Sequence, residues 1–435
     1  MKEKQVFKNA KWIIICKLAQ SVFQLIIGML SARYLGPANY GLINYAASIV
    51  AFALPIMRLG LNAVLVYELV ESPEKEGEIM GTSLLLNAMS SIACILGVTA
   101  FASIANFGET QTIWVCVLYS LSVFFAALET AQYWFQYKLL SKYSSVIMLV
   151  AYLFVSAYKI FLLATGKSVY WFAVSHSVEY GLVGVLLIVF YKRCGGDAFS
   201  FSWSRTKKML ARSKHYILSA LMVVVIQNTD HIMITSMIGK AENGLYSAAI
   251  TCVTVLQFVY TAIVDSFRPL ILSQKKENSS LYKTSVSRAY GLTVYLAIAQ
   301  AIVFFVFAKW IVCVLYGSDY LGAVALLRVL VVYFVFSVMG TVRNVWILAE
   351  EKQALLWVIN LSGALLNVGL NAWMIPYGGA LGAATASLLT QCFANFVLGF
   401  VIKPLRENNR LMLRGLKPAY FFGQLRTIIR ELKGG

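Results

Sequence analysis

Apolar runs of roughly 20 residues or more, parted by short polar breaks, fill the chain from residue 12 to residue 402. Each is long enough to cross a hydrocarbon core about 30 Å thick. The first six are Trp12 to Leu30, Tyr40 to Glu68, Ile79 to Ala105, Gln111 to Tyr137, Ser144 to Thr165 and Val169 to Tyr191. The second six are His215 to Gly239, Gly244 to Ser273, Arg288 to Cys313, Ala323 to Ala349, Ala354 to Met374 and Ala380 to Ile402. This pattern predicts an all-α polytopic membrane protein with about 12 transmembrane helices. The opening run follows Lys2, Lys4, Lys8 and Lys11, contains Lys17, Gln20 and Gln24, and lacks a small-x-small cleavage site. It is therefore expected to be the first spanning helix rather than a cleaved signal.

One break is echoed. Leu35 to Leu42 reads Leu-Gly-Pro-Ala-Asn-Tyr-Gly-Leu, and Ile238 to Leu245, 203 residues later, reads Ile-Gly-Lys-Ala-Glu-Asn-Gly-Leu, identical at half of its positions. Gly36 and Gly239 are placed to stop one helix, and Gly41 and Gly244 to ease entry into the next. The echo predicts two pseudo-symmetric six-helix lobes. Residues 1–191 form the first lobe, 192–214 a basic linker, 215–402 the second lobe and 403–435 a basic tail.

Composition agrees with a membrane protein: 60% of residues are apolar, 13% are charged and mean hydropathy is +0.73, outside the range of soluble domains. The net charge of +18 does not indicate nucleic acid, because the cations lie mostly between apolar runs and alternate with nearly uncharged gaps. With both termini in the cytoplasm, only Arg33, Lys167, Lys240 and Lys309 fall at outer turns. The tail places Phe421, Phe422, Leu425, Ile428, Ile429 and Leu432 at helical spacing opposite Gln424, Arg426 and Arg430. That spacing describes an interfacial helix on anionic lipid, with a disordered topogenic tail as the alternative. The outer loops are too short to carry an active site. No HExxH, P-loop or GxSxG motif occurs, and the seven cysteines show no metal-ligand spacing. No catalytic residue, metal or cofactor is expected.

Polar residues form stripes inside the runs. Asn44, Ser48, Ala51, Pro55, Arg58 and Asn62 share one helical face, and the positions 203 residues on are Ser247, Thr251, Thr254, Phe258, Thr261 and Asp265. Lys17, Gln20 and Gln24 make another stripe, with Gln24 matched by Gln227; Asn360, Asn367 and Asn371 make a third. Uncharged members of such stripes serve equally well as interhelical hydrogen bonds, each contributing about 1 kcal/mol or less. Lys17, Arg58, Lys159 and Arg328 need partners or water, because a charge at mid-membrane costs about 2.5–3.5 kcal/mol on insertion scales. Lys17 and Arg58 either form a cationic site open to the cytoplasm or pair off with Glu129, Glu179, Asp230 and Asp265. Asp230 and His231 are the one adjacent pair suited to proton handling. Pro55 should kink the second helix.

Three motifs occur in order: Leu35-Gly36-Pro37-x-x-Tyr40-Gly41; Asp230-x-Ile232-Met233 with Gly244-x-Tyr246-Ser247-Ala248-Ala249; and Ile375-Pro376-x-Gly378-x-x-x-Gly382-Ala383-Ala384-x-Ala386. Together they resemble the Wzx-type polysaccharide flippases of the multidrug/oligosaccharidyl-lipid/polysaccharide exporter superfamily. The resemblance spans essentially the whole chain. It implies two six-helix lobes around a central cavity, alternating access in a bacterial inner membrane, and an undecaprenyl diphosphate-linked oligosaccharide as cargo. Polymerase and chain-length proteins of glycan assembly would be partners. Val66-Tyr67-Glu68-Leu69 departs from that pattern, since family members often carry a basic residue there. Within the same superfamily, a cation-coupled exporter of small molecules, using Asp230, Glu129 or Asp265, is the alternative.

Overall fold

A computed structural model describes residues 2–421 and Gly423, and every regular element among the described residues is helical. In order these are α1 (Lys2–Met57), α2 (Leu61–Glu71), α3 (Glu76–Ala105), α4 (Thr110–Leu128), α5 (Gln132–Tyr137), α6 (Ser141–Ala164), α7 (Val169–Arg193) and α8 (Trp203–Ile238). There follow α9 (Lys240–Thr254), α10 (Gln257–Glu277), α11 (Ser279–Val306), α12 (Ala308–Tyr316), α13 (Ala323–Ala349), α14 (Ala354–Cys392), α15 (Leu398–Val401) and α16 (Arg406–Leu416). Most of the tail expected to form an interfacial helix, Phe422 and residues 424–435, lies outside the described residues.

Ten helical stretches among the described residues are long and apolar enough to cross a membrane, which makes this a multi-pass membrane protein. Two of them are long enough for two crossings. Leu18–Glu71 has 54 residues and Ala354–Val401 has 48, and at 1.5 Å per residue the first would extend about 80 Å if straight. Gly36 (φ 69°, ψ 170°) interrupts one and Gly379 (φ 58°, ψ −144°) the other. The polar turns expected at 30–40 and 374–380 thus shrink to single glycines in a backbone conformation that side chains resist. Pro37, next after Gly36, suits a first helical position because it has no amide hydrogen to satisfy.

Two compact units make up the chain, residues 1–244 and 245–435. In the first unit, Leu65, Met80, Trp134, Phe135, Tyr191 and Met209 belong to one buried cluster near the α1–α2 break. The segment joining α7 to α8 is strapped to α3: Ser200 N donates to Gly77 O at 3.1 Å, Ser202 N donates to Thr82 Oγ1 at 3.1 Å, and a Cβ on Gly77 or Gly81 would collide with that strap. In the second unit the core gathers Tyr282, Tyr290, Trp346, Leu405 and Met412. There α16 lies on α11, where Ser287 Oγ donates to Leu411 O at 2.9 Å and the Tyr290 hydroxyl donates to Asn408 Oδ1 at 2.8 Å.

Candidate functional site

Gly36 and Gly239 both end a helix with positive φ, at 69° and 111°, as their spacing predicted. Gly41 and Gly244 act differently from the expectation. Both lie inside helices, and each is a point of close approach: a Cβ on Gly41 would strike the Lys240 carbonyl, and one on Gly244 the Pro37 carbonyl. The two echoed turns therefore pack on each other within the first unit. Asn243 Nδ2 donates to Gly41 O at 2.8 Å, and its Oδ1 lies 2.7 Å from His231 Nδ1. His231, expected to handle protons with Asp230, is tied into this turn contact, and Asp230 beside it is buried. Lys240 Nζ reaches Glu109 at 2.8 Å. The lysine, with help from the Thr112 hydroxyl, holds the Glu109 carboxyl below the usual carboxylate range.

At the far end of α1, Pro55 cannot donate to the preceding turn, and the helix stops at Met57. Leu59 (φ 48°) and Gly60 (φ 65°) turn the chain into α2. Arg58 sits in this break, so its side chain leaves the helical stripe and Nη2 meets Glu129 Oε2 at 3.3 Å. Glu179 is within electrostatic reach of Glu129 and also of Lys159. His176 is within electrostatic reach of Lys159, and its ring lies 4.4 Å from that of Tyr119. Two cations and two carboxylates are thus collected between the α1 break, α4, α6 and α7. A half-buried pair in a membrane protein persists when each charge has a partner.

The other expected site residues are more scattered. Lys17 lies outside the described side chains. Gln20 is half-buried, while Gln24 and Gln227 are exposed. Asn44 Nδ2 donates back to Tyr40 O at 2.8 Å, satisfying its own helix. Asn62, beyond the break, is exposed beside Tyr133. In the second unit Thr251 and Asn360 are half-buried, and Asn371 Nδ2 donates to the buried Asn367 Oδ1 at 3.2 Å. Asp265 pairs with Arg268, one turn on, at 2.9 Å, and both are about half exposed.

Two charged centres escaped the sequence reading. Glu68, with no exposed surface, accepts from Arg205 Nη1 at 3.3 Å and Arg212 Nη1 at 2.5 Å. Glu71 bonds Lys208 at 3.2 Å and Arg212 at 2.6 Å, and Arg205 Nε reaches Glu78 at 3.4 Å. These bonds raise the Arg212 guanidinium above its usual range, Glu71 contributing most. The signal was present: Arg205, Lys208 and Arg212 fall at i, i+3 and i+7, one face of a helix. The second is Arg343 on α13, buried, with Nη1 donating to Ala394 O at 2.8 Å and Asn395 Oδ1 at 2.7 Å. Those acceptors lie at a π-helical turn, Phe393–Val397, whose Phe396 carbonyl accepts from Asn409 Nδ2 at 2.8 Å. A π turn breaks the usual bonding register and is common at functional sites. No group of three or more potential metal ligands occurs among the described residues.

A family model described as "Polysaccharide biosynthesis protein" matches residues 6–274, more than half of the chain. No curated protein sequence matches. Among solved structures, an inward-facing multidrug resistance MATE family transporter of the MOP superfamily aligns with TM-score 0.69 and 14% identity, over 89% of this chain and 94% of that one. The lipid II flippase MurJ, in an inward closed conformation, aligns with TM-score 0.68 and 14% identity, over 93% and 90%. A MOP superfamily transporter from Pyrococcus furiosus, described as having a binding pocket of reverse polarity, aligns with TM-score 0.58 and 14% identity, over 93% and 96%. At these identities the likeness establishes a shared fold.

Proposed function

The chain belongs to the polysaccharide biosynthesis protein family, and from that membership we propose that it is a flippase for lipid-linked glycan units. The cargo is an undecaprenyl diphosphate-linked oligosaccharide, moved from the cytoplasmic to the outer leaflet of a bacterial inner membrane by alternating access. The product feeds surface polysaccharide assembly, alongside polymerase and chain-length proteins. Family membership is the observation that carries this reading, because the fold alone is shared with multidrug transporters.

Counting one crossing on each side of Gly36 and Gly379 turns ten membrane-crossing stretches into twelve, six on either side of the 192–214 linker. Both termini and the Glu68 cluster are cytoplasmic in this arrangement, and the Gly36 and Gly239 turns face outward. In the first unit the polar residues Gln20, Gln24, Asn62 and Gln227 line the sugar path, with Lys17 and Arg58 drawing the diphosphate. Glu129 and Glu179 balance the charge of Arg58 there.

Depletion of the protein should cause undecaprenyl diphosphate-linked oligosaccharide to accumulate in cells. Arg58→Glu, which would set two carboxylates together beside Glu129, should lower surface glycan by about tenfold or more at equal protein level, the change expected from about 1.4 kcal/mol. Normal export would remove Arg58 from the path. A cation-coupled small-molecule exporter is favoured by one observation, the intramembrane carboxylates Glu129 and Glu179. It predicts that the protein protects cells from cationic dyes, which a glycan flippase does not.

A further inference from the structure

The helix α8 is fastened to the first three helices at two levels. At one, Arg205, Lys208 and Arg212 hold it to Glu68 and Glu71 of α2 and to Glu78 of α3. At the other, just past its C-terminal end, the Gly41 and Gly244 contacts and the Asn243 bond hold the turn to α1. Between these levels α1, α3 and α8 part around a cavity of about 580 Å³. Its walls are apolar, with Ile49, Phe52 and Ile56 from α1, Phe101 from α3 and Ile232 from α8.

The floor is built from Ala93 and Gly97 of α3. Small residues on a spanning helix normally let a neighbour come close, yet a Cβ on Gly97 would meet nothing within 4 Å. The space is thus a slot kept open along the helix. Two of its three polar side chains are already bonded to backbone, Ser90 Oγ donating to Ile56 O at 3.3 Å and Cys94 Sγ to Ala53 O at 3.6 Å, and Thr229 of α8 is the third. Water would find few partners there, and helices fastened at both ends cannot approach to close it. Hydrocarbon is the filling that suits it. From Ser90 to Phe101 the slot runs about 16 Å along α3, roughly half of a hydrocarbon core.

Just beyond the Ile56 end of the slot the chain carries a charge. Arg58 follows the lining residue Ile56 by two positions and is the sole cation between Arg33 and Lys75 in the sequence. Its side chain is 32% exposed, and its ion pair with Glu129 runs through Nη2, so the guanidinium retains donors for an anion. We propose that this slot seats the polyprenyl chain of an anionic lipid-linked cargo, with the phosphate end toward Arg58. The proposal rests on the flippase reading and adds to it where the lipid part of the cargo lies.

The test is retention of undecaprenyl diphosphate by the purified full chain, read by native mass spectrometry in competition with phosphatidylglycerol. Gly97→Phe fills the slot from a position with open space around it; Ala93→Leu does so from the neighbouring turn. Gly369→Phe, equally unobstructed on α14, is the control. Both filling variants should lose retention by about tenfold or more with melting temperatures matching the control. Unchanged retention in both overturns the slot and leaves the flippase reading intact. No retention by the unmodified chain overturns the flippase reading itself. Phosphatidylglycerol displacing the prenyl lipid at equal concentration would make the slot a general lipid crevice and overturn the assignment.

Discussion

At Glu68 a carboxylate with no exposed surface is surrounded by cations from a helix more than 130 residues away. Of its partners, Arg205 is itself 7% exposed, whereas Lys208 and Arg212 are 41% and 36% exposed. The buried Arg205 contact therefore matters most, since exposed pairs are worth little. Removing one member of a buried pair leaves the other uncompensated, so Glu68→Gln should destabilise the protein by about 3–5 kcal/mol, measured as a fall in the melting temperature in detergent. Glu71→Gln should cost far less; equal effects would show that burial does not govern the cluster. Glu109 gives a pH dependence of known sign. Lys240, then Thr112, hold its carboxyl below its ordinary value, so its contribution is complete above about pH 4.3, the unfolded value. It is lost as pH falls through the lower folded value. The melting-temperature gap between the unmodified protein and Glu109→Gln should be largest at neutral pH and close on acidification; a gap that widens in acid contradicts the pairing.

Among the elements, the paired turns at Gly36 and Gly239 show how two glycines in one motif do different work. Gly36 supplies a backbone angle, while Gly41 supplies an absence of atoms, with backbone carbonyl rather than a flexible side chain in the way. Gly41→Ala should therefore cost about 1–3 kcal/mol, as overpacking does. Gly28→Ala, inside the same helix with nothing within 4 Å, should be neutral or stabilise by up to about 1 kcal/mol through helix propensity. Melting curves of the two variants test this, and similar losses in both would mean that the turn contact is loose. The α1–α2 break illustrates the converse, in which an element ends early and redirects a side chain. Because the helix stops at Met57, Arg58 turns to Glu129 and Asn62 leaves the stripe assigned to it.

For the molecule as a whole, the proposed orientation has a direct test. Cys194 is exposed at the start of the linker, while Cys16, Cys94, Cys116 and Cys252 are buried. A membrane-impermeant maleimide should label Cys194 in inside-out vesicles and not in intact spheroplasts. Labelling from the outer face would invert the topology and move the Glu68 cluster to the other side of the membrane.

Helical class and membrane placement were legible without coordinates, because a run of about 20 apolar residues has few other stable homes and its length is set by the bilayer. The echoed turn was legible for the same local reason: Gly36 and Gly239 differ from their neighbours in a property of the single residue. Partnership was not. Charges at Arg58 and Lys159 announced that they needed partners, but a lone charge does not say which distant group answers it, and Arg343 drew no notice at all. Arg58 finds Glu129, 71 positions away, Arg343 finds a π turn, and the basic linker finds Glu68. Those choices depend on where helices stop and how closely their backbones approach, and both are settled only when several helices pack at once. The slot beside Gly97 belongs to the same class, since an empty space is a property of three helices together and leaves no mark on any one of them.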